Sequence, residues 1–306
     1  MGLALRSCIK NIVDEHLQAG FLAFGQCLTA VGWVGGTLPE RYEEDGMIEL
    51  PMADVAGGGF VVGAALMNRR PIYIIRYQGF NWYNCISVLN YACKSKELWD
   101  TPCPIFVRSI GMEGGIGPVA GSSHHSLYYR MPGVHIYSPM TPMEYETCYN
   151  NFQKNDEVFY VSEHRGAYNN KEELPCMDYS VPDIVLYPIS ITRFAALKAA
   201  ERLYKEGVKV AVYHQMQLKP YLKQNKAIHA LERSRFGGIV LDDDYTDGIA
   251  SIIAHKIMIS SSGSQKVYTM GLKNKTAGFA KHLDNLPPTA DEICIKIKEI
   301  IKNYGH

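Results

Sequence analysis

Apolar residues recur along the first half of the chain in two alternating rhythms. Ile9, Ile12, Val13 and the pair His16-Leu17 fall at helical spacing, and "FLAFG" (21–25) follows as a short buried strand closed by a glycine. Runs of β-branched and aromatic residues return at "PIYIIRY" (71–77), "PCPIFVRS" (102–109), "GVHIYS" (133–138) and "EVFYVS" (157–162). Helical patterns such as "NCISVLNYACKSKELW" and "PMEYETCYNNF" lie between them. Strand, helix and strand in repeated order predict a mostly parallel sheet covered by helices on both faces.

Residues 165–182, "RGAYNNKEELPCMDYSVP", are polar, aperiodic and end in Pro182, and read as a linker. A second α/β set follows. "DIVLYPI" is a strand, and "SITRFAALKAAERLYKEG" is a helix with apolar Phe194, Leu197, Leu203 and Tyr204 and Gly207 as its stop. "VKVAVY", "GGIVLDDD", the helical "DGIASIIAHKIM" and "KVYTMGL" come next. The last helix opens at Thr289 with Glu292 three residues on, the spacing of a capping box. The expected organisation is an α/β domain over 1–164, a linker over 165–182 and a second α/β domain over 183–306.

Composition narrows the function classes. The 306 residues are 47% hydrophobic and 20% charged, with 31 basic and 31 acidic side chains. That balance gives no electrostatic case for nucleic acid or an anionic membrane surface, and leaves self-association unopposed by net charge. The eight scattered cysteines show no C-x-x-C and read as reduced thiols. Charges interrupt the first residues too early for a signal peptide, and Arg6 spoils a myristoylation motif at Gly2. No run reaches the ~18 apolar residues of a membrane span. A cytoplasmic location is expected, an organellar matrix being compatible with the same features.

The segment "PMADVAGGGFVVGAAL" (51–66) packs four glycines and four alanines around one acid, Asp54. It is not a phosphate cradle. A dinucleotide fingerprint needs a third glycine where Val62 stands, and a P-loop needs Gly-Lys-Ser or Gly-Lys-Thr. A helix with small residues on one face fits better, Gly59, Gly63 and Ala64 allowing a backbone or flat ring to approach. Asp54 then reads either as a helix N-cap or as a chemical group. The acids Asp242, Asp243 and Asp244 read as a strand end with solvated charges rather than a metal site.

Taken in order, "GQCLTAVGWVGGTLPERY", "IELPMADVAGGGFVVGAAL", "RPIYIIRYQGFNWYN" with "SVLNYACK", and "PIFVRSIGMEGGIGPVAGSSHHSLYYRMPGVHIYSPMTP" resemble the β-chain of thiamine-diphosphate-dependent 2-oxo acid dehydrogenases. "VLYPISITRFAALKAAERLYKEGVKVAVYHQMQLKPY" and "NLPPTADEI" extend the resemblance over nearly the whole chain. It implies a transketolase-like pyrimidine-binding fold followed by a transketolase C-terminal-like domain.

The resemblance also implies roles. Relatives carry Pro-x-x-Glu, whose acid hydrogen-bonds the aminopyrimidine of the cofactor and favours the tautomer that removes the thiazolium C2 proton. Pro51-Met52-Ala53-Asp54 fills that pattern with an aspartate, shorter by one C–C bond of roughly 1.5 Å. The small apolar bed around Asp54 is expected to desolvate it and help it share a proton. Phe80, or alternatively Tyr77, matches the ring that stacks on the pyrimidine, and Gln26 stands where relatives have glutamate. Asn90 and Lys94 match the helix pattern with a structural role, Ser87 replacing the usual glutamine. The functional histidine of relatives falls at Ala120 by ungapped count, or at His124, with His125 beside it, if "GSSHHS" matches a Gly-x-x-His run.

The diphosphate end of the cofactor needs Mg²⁺ and a Gly-Asp-Gly…Asn motif, which this chain lacks. An α-type partner is expected to supply both, most simply as α₂β₂, with a lipoyl acyltransferase as a possible further partner. The implied reaction is decarboxylation or C–C cleavage of a 2-oxo acid or ketose with acyl or ketol transfer. The departures at Gln26, Asp54 and Ala120 also admit a split transketolase-like or acyloin-forming subunit, or a non-catalytic scaffold subunit.

Overall fold

The computed structural model describes residues 2–112, 121, 123–261 and 265–304. The chain divides into two compact units, the first running to Glu173 and the second starting at Leu174.

In the first unit six strands, β1 (Ala23–Gly25), β2 (Met47–Glu49), β3 (Ile72–Ile75), β4 (Phe106–Gly111), β5 (Val134–Tyr137) and β6 (Val158–His164), lie in the order β2-β1-β3-β4-β6-β5. Every pairing among them is parallel. β3, β4 and β6 are buried along their whole length, as strands covered on both faces are; β3 is an unbroken Ile/Tyr run, whereas β4 and β6 carry Arg108 and Glu163 into the interior. The helices are α1 (Leu5–Gln18), α2 (Ala30–Gly36), α3 (Asp54–Leu66), α4 (Asn81–Asn84), α5 (Cys93–Trp99), α6 (Ser126–Tyr129) and α7 (Pro142–Gln153). α7 starts where its sequence dictates: Pro142 occupies the first turn, and Thr141 Oγ1 accepts from the Glu144 N–H.

The pattern over 84–99 predicts one helix, whereas the structure has α4, a π-type turn over Val88–Ala92, and α5. The reason is tertiary. Asn81 and Asn84 engage Tyr160 and Tyr73 across the fold, and α3 presses against them. A Cβ on Gly58 would sit 2.3 Å from the Asn84 carbonyl oxygen, so only glycine allows that approach. In α2, Val31 to Gly35 all have left-handed φ and ψ, a run that hydrophobic patterning cannot signal.

The second unit holds β7 (Ile184–Pro188), β8 (Val210–Val212), β9 (Gln217–Lys219), β10 (Gly238–Tyr245) and β11 (Val267–Leu272). Four of these form a parallel sheet in the order β11-β10-β7-β8. Its helices are α8 (Thr192–Lys205), α9 (Asn225–Arg233), α10 (Ile249–Ser260) and α11 (Ala290–Tyr304). Ile184, Leu186, Ala196, Ala199, Ile239 and Ile297 close its core. The capping box forms: Glu292 Oε2 accepts from the Thr289 N–H at 2.9 Å, and Thr289 Oγ1 accepts from the Glu292 N–H at 3.3 Å.

The expectation of solvated charges at Asp242–Asp244 is corrected. All three are buried inside β10. Each accepts a hydrogen bond on one oxygen: Ser190 Oγ donates to Asp243 Oδ2, the Asp243 N–H to Asp242 Oδ1, and the Tyr245 N–H to Asp244 Oδ1.

Candidate active site

Strand order places the site. The chain leaves β1 for β2 on one side and later reaches β3 on the other side of β1, so the β1 and β3 C-termini diverge. Parallel sheets open a crevice at such a point. A cavity of about 170 Å³ lies there, lined by Gln26 and Cys27 after β1, Met52 before α3, Arg76, Tyr77 and Phe80 after β3, and Asn84.

Gln26 and Asp54 meet at its edge. Gln26 Nε2 donates to Asp54 Oδ1 at 2.7 Å and to the Pro51 carbonyl at 3.2 Å. The amide thus pins the carboxylate to the loop that carries it. Asp54 is the first residue of α3, yet its side chain makes no capping hydrogen bond, so the N-cap reading fails. The small-residue bed does not bury it: Asp54 is half-buried, and Met52, Ala53, Val55 and Ala56 beside it are exposed. The glycines divide by face. Gly57 and Gly58 pack inward, while Gly59 and Gly63 have nothing within 4 Å.

The Tyr77 and Phe80 rings form an aromatic wall with centroids 6.0 Å apart. The Arg76 and Arg165 guanidinium groups stand over Tyr77 at 5.6 and 5.9 Å, giving the ring a cationic backing.

Between these aromatics, Gln78 points the other way and is fully buried. Its Nε2 donates to Ser162 Oγ at 2.8 Å and to the Ser109 carbonyl at 3.2 Å, and its Oε1 accepts from the His124 N–H at 2.6 Å and from Tyr160 OH at 3.1 Å. His125 Nδ1 lies 3.1 Å from Ser162 Oγ. His125 is buried and His124 half-buried, both just before α6. Below them, Glu163 receives Arg108 Nε at 2.7 Å, Arg108 Nη2 at 3.0 Å, Tyr145 OH at 2.6 Å and Tyr168 OH at 2.7 Å. Burial, then the charge of Glu163, push both phenols well above their ordinary range, which keeps them protonated donors.

Residues 19–171 match the family described as "Transketolase, pyrimidine binding domain". The chain belongs to this family. Among curated relatives it is similar to the 2-oxoisovalerate dehydrogenase subunit beta of Bacillus subtilis, with 27% identity over 71% of each chain. It is 24% identical to the acetoin:2,6-dichlorophenolindophenol oxidoreductase subunit beta of Cupriavidus necator, over 96% of this chain and 92% of that one. The pyruvate dehydrogenase E1 component subunit beta of Bacillus subtilis is 26% identical over 83% of this chain and 82% of its own. In fold, the chain matches a solved structure titled "Split gene transketolase, inactive beta4 tetramer", with a TM-score of 0.72, 14% identity and 99% of both chains covered.

Within this pyrimidine-binding frame the structure brings Gln26, Tyr77 and Phe80 to one cavity, and Asp54 joins them through Gln26. His124 and His125 do not line the cavity; Gln78 ties their turn to the aromatic segment. Ala120 lies outside the described residues. Sequence reasoning missed Gln78, Ser162, Arg108 and Glu163. A signal existed for the last two, since a charge inside "FVRSIG" or "VSEH" cannot reach solvent from a fully covered strand.

Proposed function

We propose that this chain is the β-type, pyrimidine-binding subunit of a heteromeric thiamine-diphosphate enzyme that acts on a 2-oxo acid or ketose. The observation that carries the reading is the acid–amide pair beside an aromatic wall at the switch point of a pyrimidine-binding family sheet. The residues fit a substituted pyrimidine: a flat aromatic surface, a carboxylate for a ring nitrogen and neighbouring amides for its polar edge. When bound, thiamine diphosphate supplies an acidic thiazolium C2–H and a ring that accepts electrons. Phe80 and Tyr77 hold the pyrimidine face, and Asp54 holds a proton at the ring nitrogen. Gln26 fixes Asp54 Oδ1, which leaves Oδ2 as the oxygen assigned to the ring.

The diphosphate and its Mg²⁺ belong to an α-type partner carrying Gly-Asp-Gly, because this chain has no such sequence. Activity then depends on that partner, most simply in an α₂β₂ assembly. The same partner would cover the open first turn of α3 and complete the desolvation of Asp54. The similarity to the acetoin oxidoreductase β subunit over nearly the full length favours an acyloin-type acceptor as the second reading.

The test is Asp54→Asn in the assembled enzyme, read as deuterium exchange at C2 of the bound cofactor. The expected loss is on the order of 10²–10⁴-fold, the range of positioned acid–base groups. Exchange at the unaltered rate would remove Asp54 from the mechanism.

A further inference from the structure

The buried hydrogen bonds around Gln78 assign a proton position that no sequence pattern reveals. The orientation of the Gln78 amide is fixed by backbone groups, whose donor and acceptor roles cannot change. Its Nε2 faces the Ser109 carbonyl at 3.2 Å and the Glu163 carbonyl at 3.5 Å, and its Oε1 faces the His124 N–H at 2.6 Å. Turning the amide over would set oxygen against two carbonyls and NH₂ against an N–H. Gln78 Nε2 is therefore the donor to Ser162 Oγ at 2.8 Å.

Ser162 is fully buried, and among the described residues its hydroxyl has two polar neighbours, Gln78 Nε2 and His125 Nδ1. Since the first is a donor, the hydroxyl hydrogen is satisfied only by donating to His125 Nδ1 at 3.1 Å. A neutral imidazole that accepts at Nδ1 carries its hydrogen on Nε2.

We infer that Gln78 and Ser162 are positioning residues that hold His125 as the neutral Nε2–H tautomer and anchor its turn to the aromatic segment. The anchoring is direct, for Gln78 adjoins Tyr77 in the chain and accepts the His124 N–H. The second amide in the segment reinforces it: Asn81 Nδ2 donates to Tyr160 OH at 2.8 Å, and Tyr160 OH donates to Gln78 Oε1 at 3.1 Å. The bearing on catalysis rests on the thiamine-diphosphate reading above, whereas the tautomer does not. Under that reading the two residues act through the turn they anchor beside Tyr77 and not by touching substrate, since His125 is fully buried and does not line the cavity.

The test is ¹⁵N-histidine labelling of the full chain and long-range ¹H–¹⁵N correlation at neutral pH, with His125→Gln identifying the resonances among the ten histidines. The expected wild-type signature is a pyridine-like Nδ1 and a pyrrole-like Nε2, and Ser162→Ala should convert it to a mixture of tautomers. A wild-type His125 signature with the hydrogen on Nδ1, or a cationic ring, would overturn the inference. So would a signature that Ser162→Ala leaves unchanged. Loss of C2 exchange activity with this signature intact would count against the cofactor reading alone, so the two failures are distinguishable.

Discussion

Glu163 shows at the scale of one residue how the site is held still. It lies inside β6, and four donors from Arg108, Tyr145 and Tyr168 converge on its two oxygens. Arg108 is equally buried and is also bound by Thr37 Oγ1 at 3.0 Å. Burial presses the Arg108 guanidinium down, and the facing carboxylate more than offsets this, so that it stays charged. A buried pair of this kind adds little net stability but is costly to break. Glu163→Gln leaves the guanidinium without its counter-charge and should cost about 3–5 kcal/mol, measured as a lower urea midpoint. Loss below about 1 kcal/mol, the worth of an exposed pair, would show that water reaches Arg108. Asp54 differs in kind. It is half-buried, on a rim, with one amide partner, and its substitution is expected to act on chemistry more than on folding.

At the scale of elements, α2 is the conspicuous exception to a regular fold. Val31, Gly32, Trp33, Val34 and Gly35 all occupy left-handed backbone space. Glycine adopts it freely, but each L-residue there costs roughly 1–2 kcal/mol. Val34 recovers the cost by complete burial, and Val31, 64% exposed, does not. Val31→Gly should therefore raise stability by about 1 kcal/mol, read as a higher thermal midpoint. A fall would mean that the valine side chain makes contacts worth more than its strain. The regular elements were legible for the opposite reason. β3 and β7 are apolar runs, and β4, β6 and β10 open on apolar runs, with nowhere to go but the core, and α7 and α11 carry their caps in the sequence. β2 was not legible, since "MIE" owes its pairing to β1. Nor was the break between α4 and α5, which the contact of Gly58 with Asn84 imposes.

At the scale of the whole molecule, exposed apolar side chains gather on two adjoining segments of the first unit. Phe60 on α3 and Met67 at its C-cap are 64% and 75% exposed, and Trp82, Tyr83 and Trp99 follow in the segment after β3. Such a surface marks association. No helix among the described residues is long and apolar enough to cross a membrane. Under the proposed function the α-type partner covers this surface and is expected to carry the diphosphate motif. Purification of the chain from its native cells should bring down a stoichiometric partner with Gly-Asp-Gly…Asn. Recovery with copies of itself alone would leave the cofactor half-held and favour a scaffold role. The eight cysteines form no disulfide, and burial pushes Cys8, Cys85 and Cys103 up to about 12, so these three are packing residues rather than nucleophiles.

The sequence by itself determined the α/β class, the parallel sheets, the family and the identity of Gln26, Asp54, Tyr77 and Phe80 as candidates. Periodicity and motif order are local and survive in one dimension. Only the tertiary structure decided that Gln26 clamps Asp54, that the Asp242–Asp244 run is buried, and that Gln78 reaches Ser162 and the histidine turn. Those facts depend on which strand ends lie side by side, and residues 84 positions apart, such as Gln78 and Ser162, meet only because β3, β4 and β6 are neighbours in the sheet.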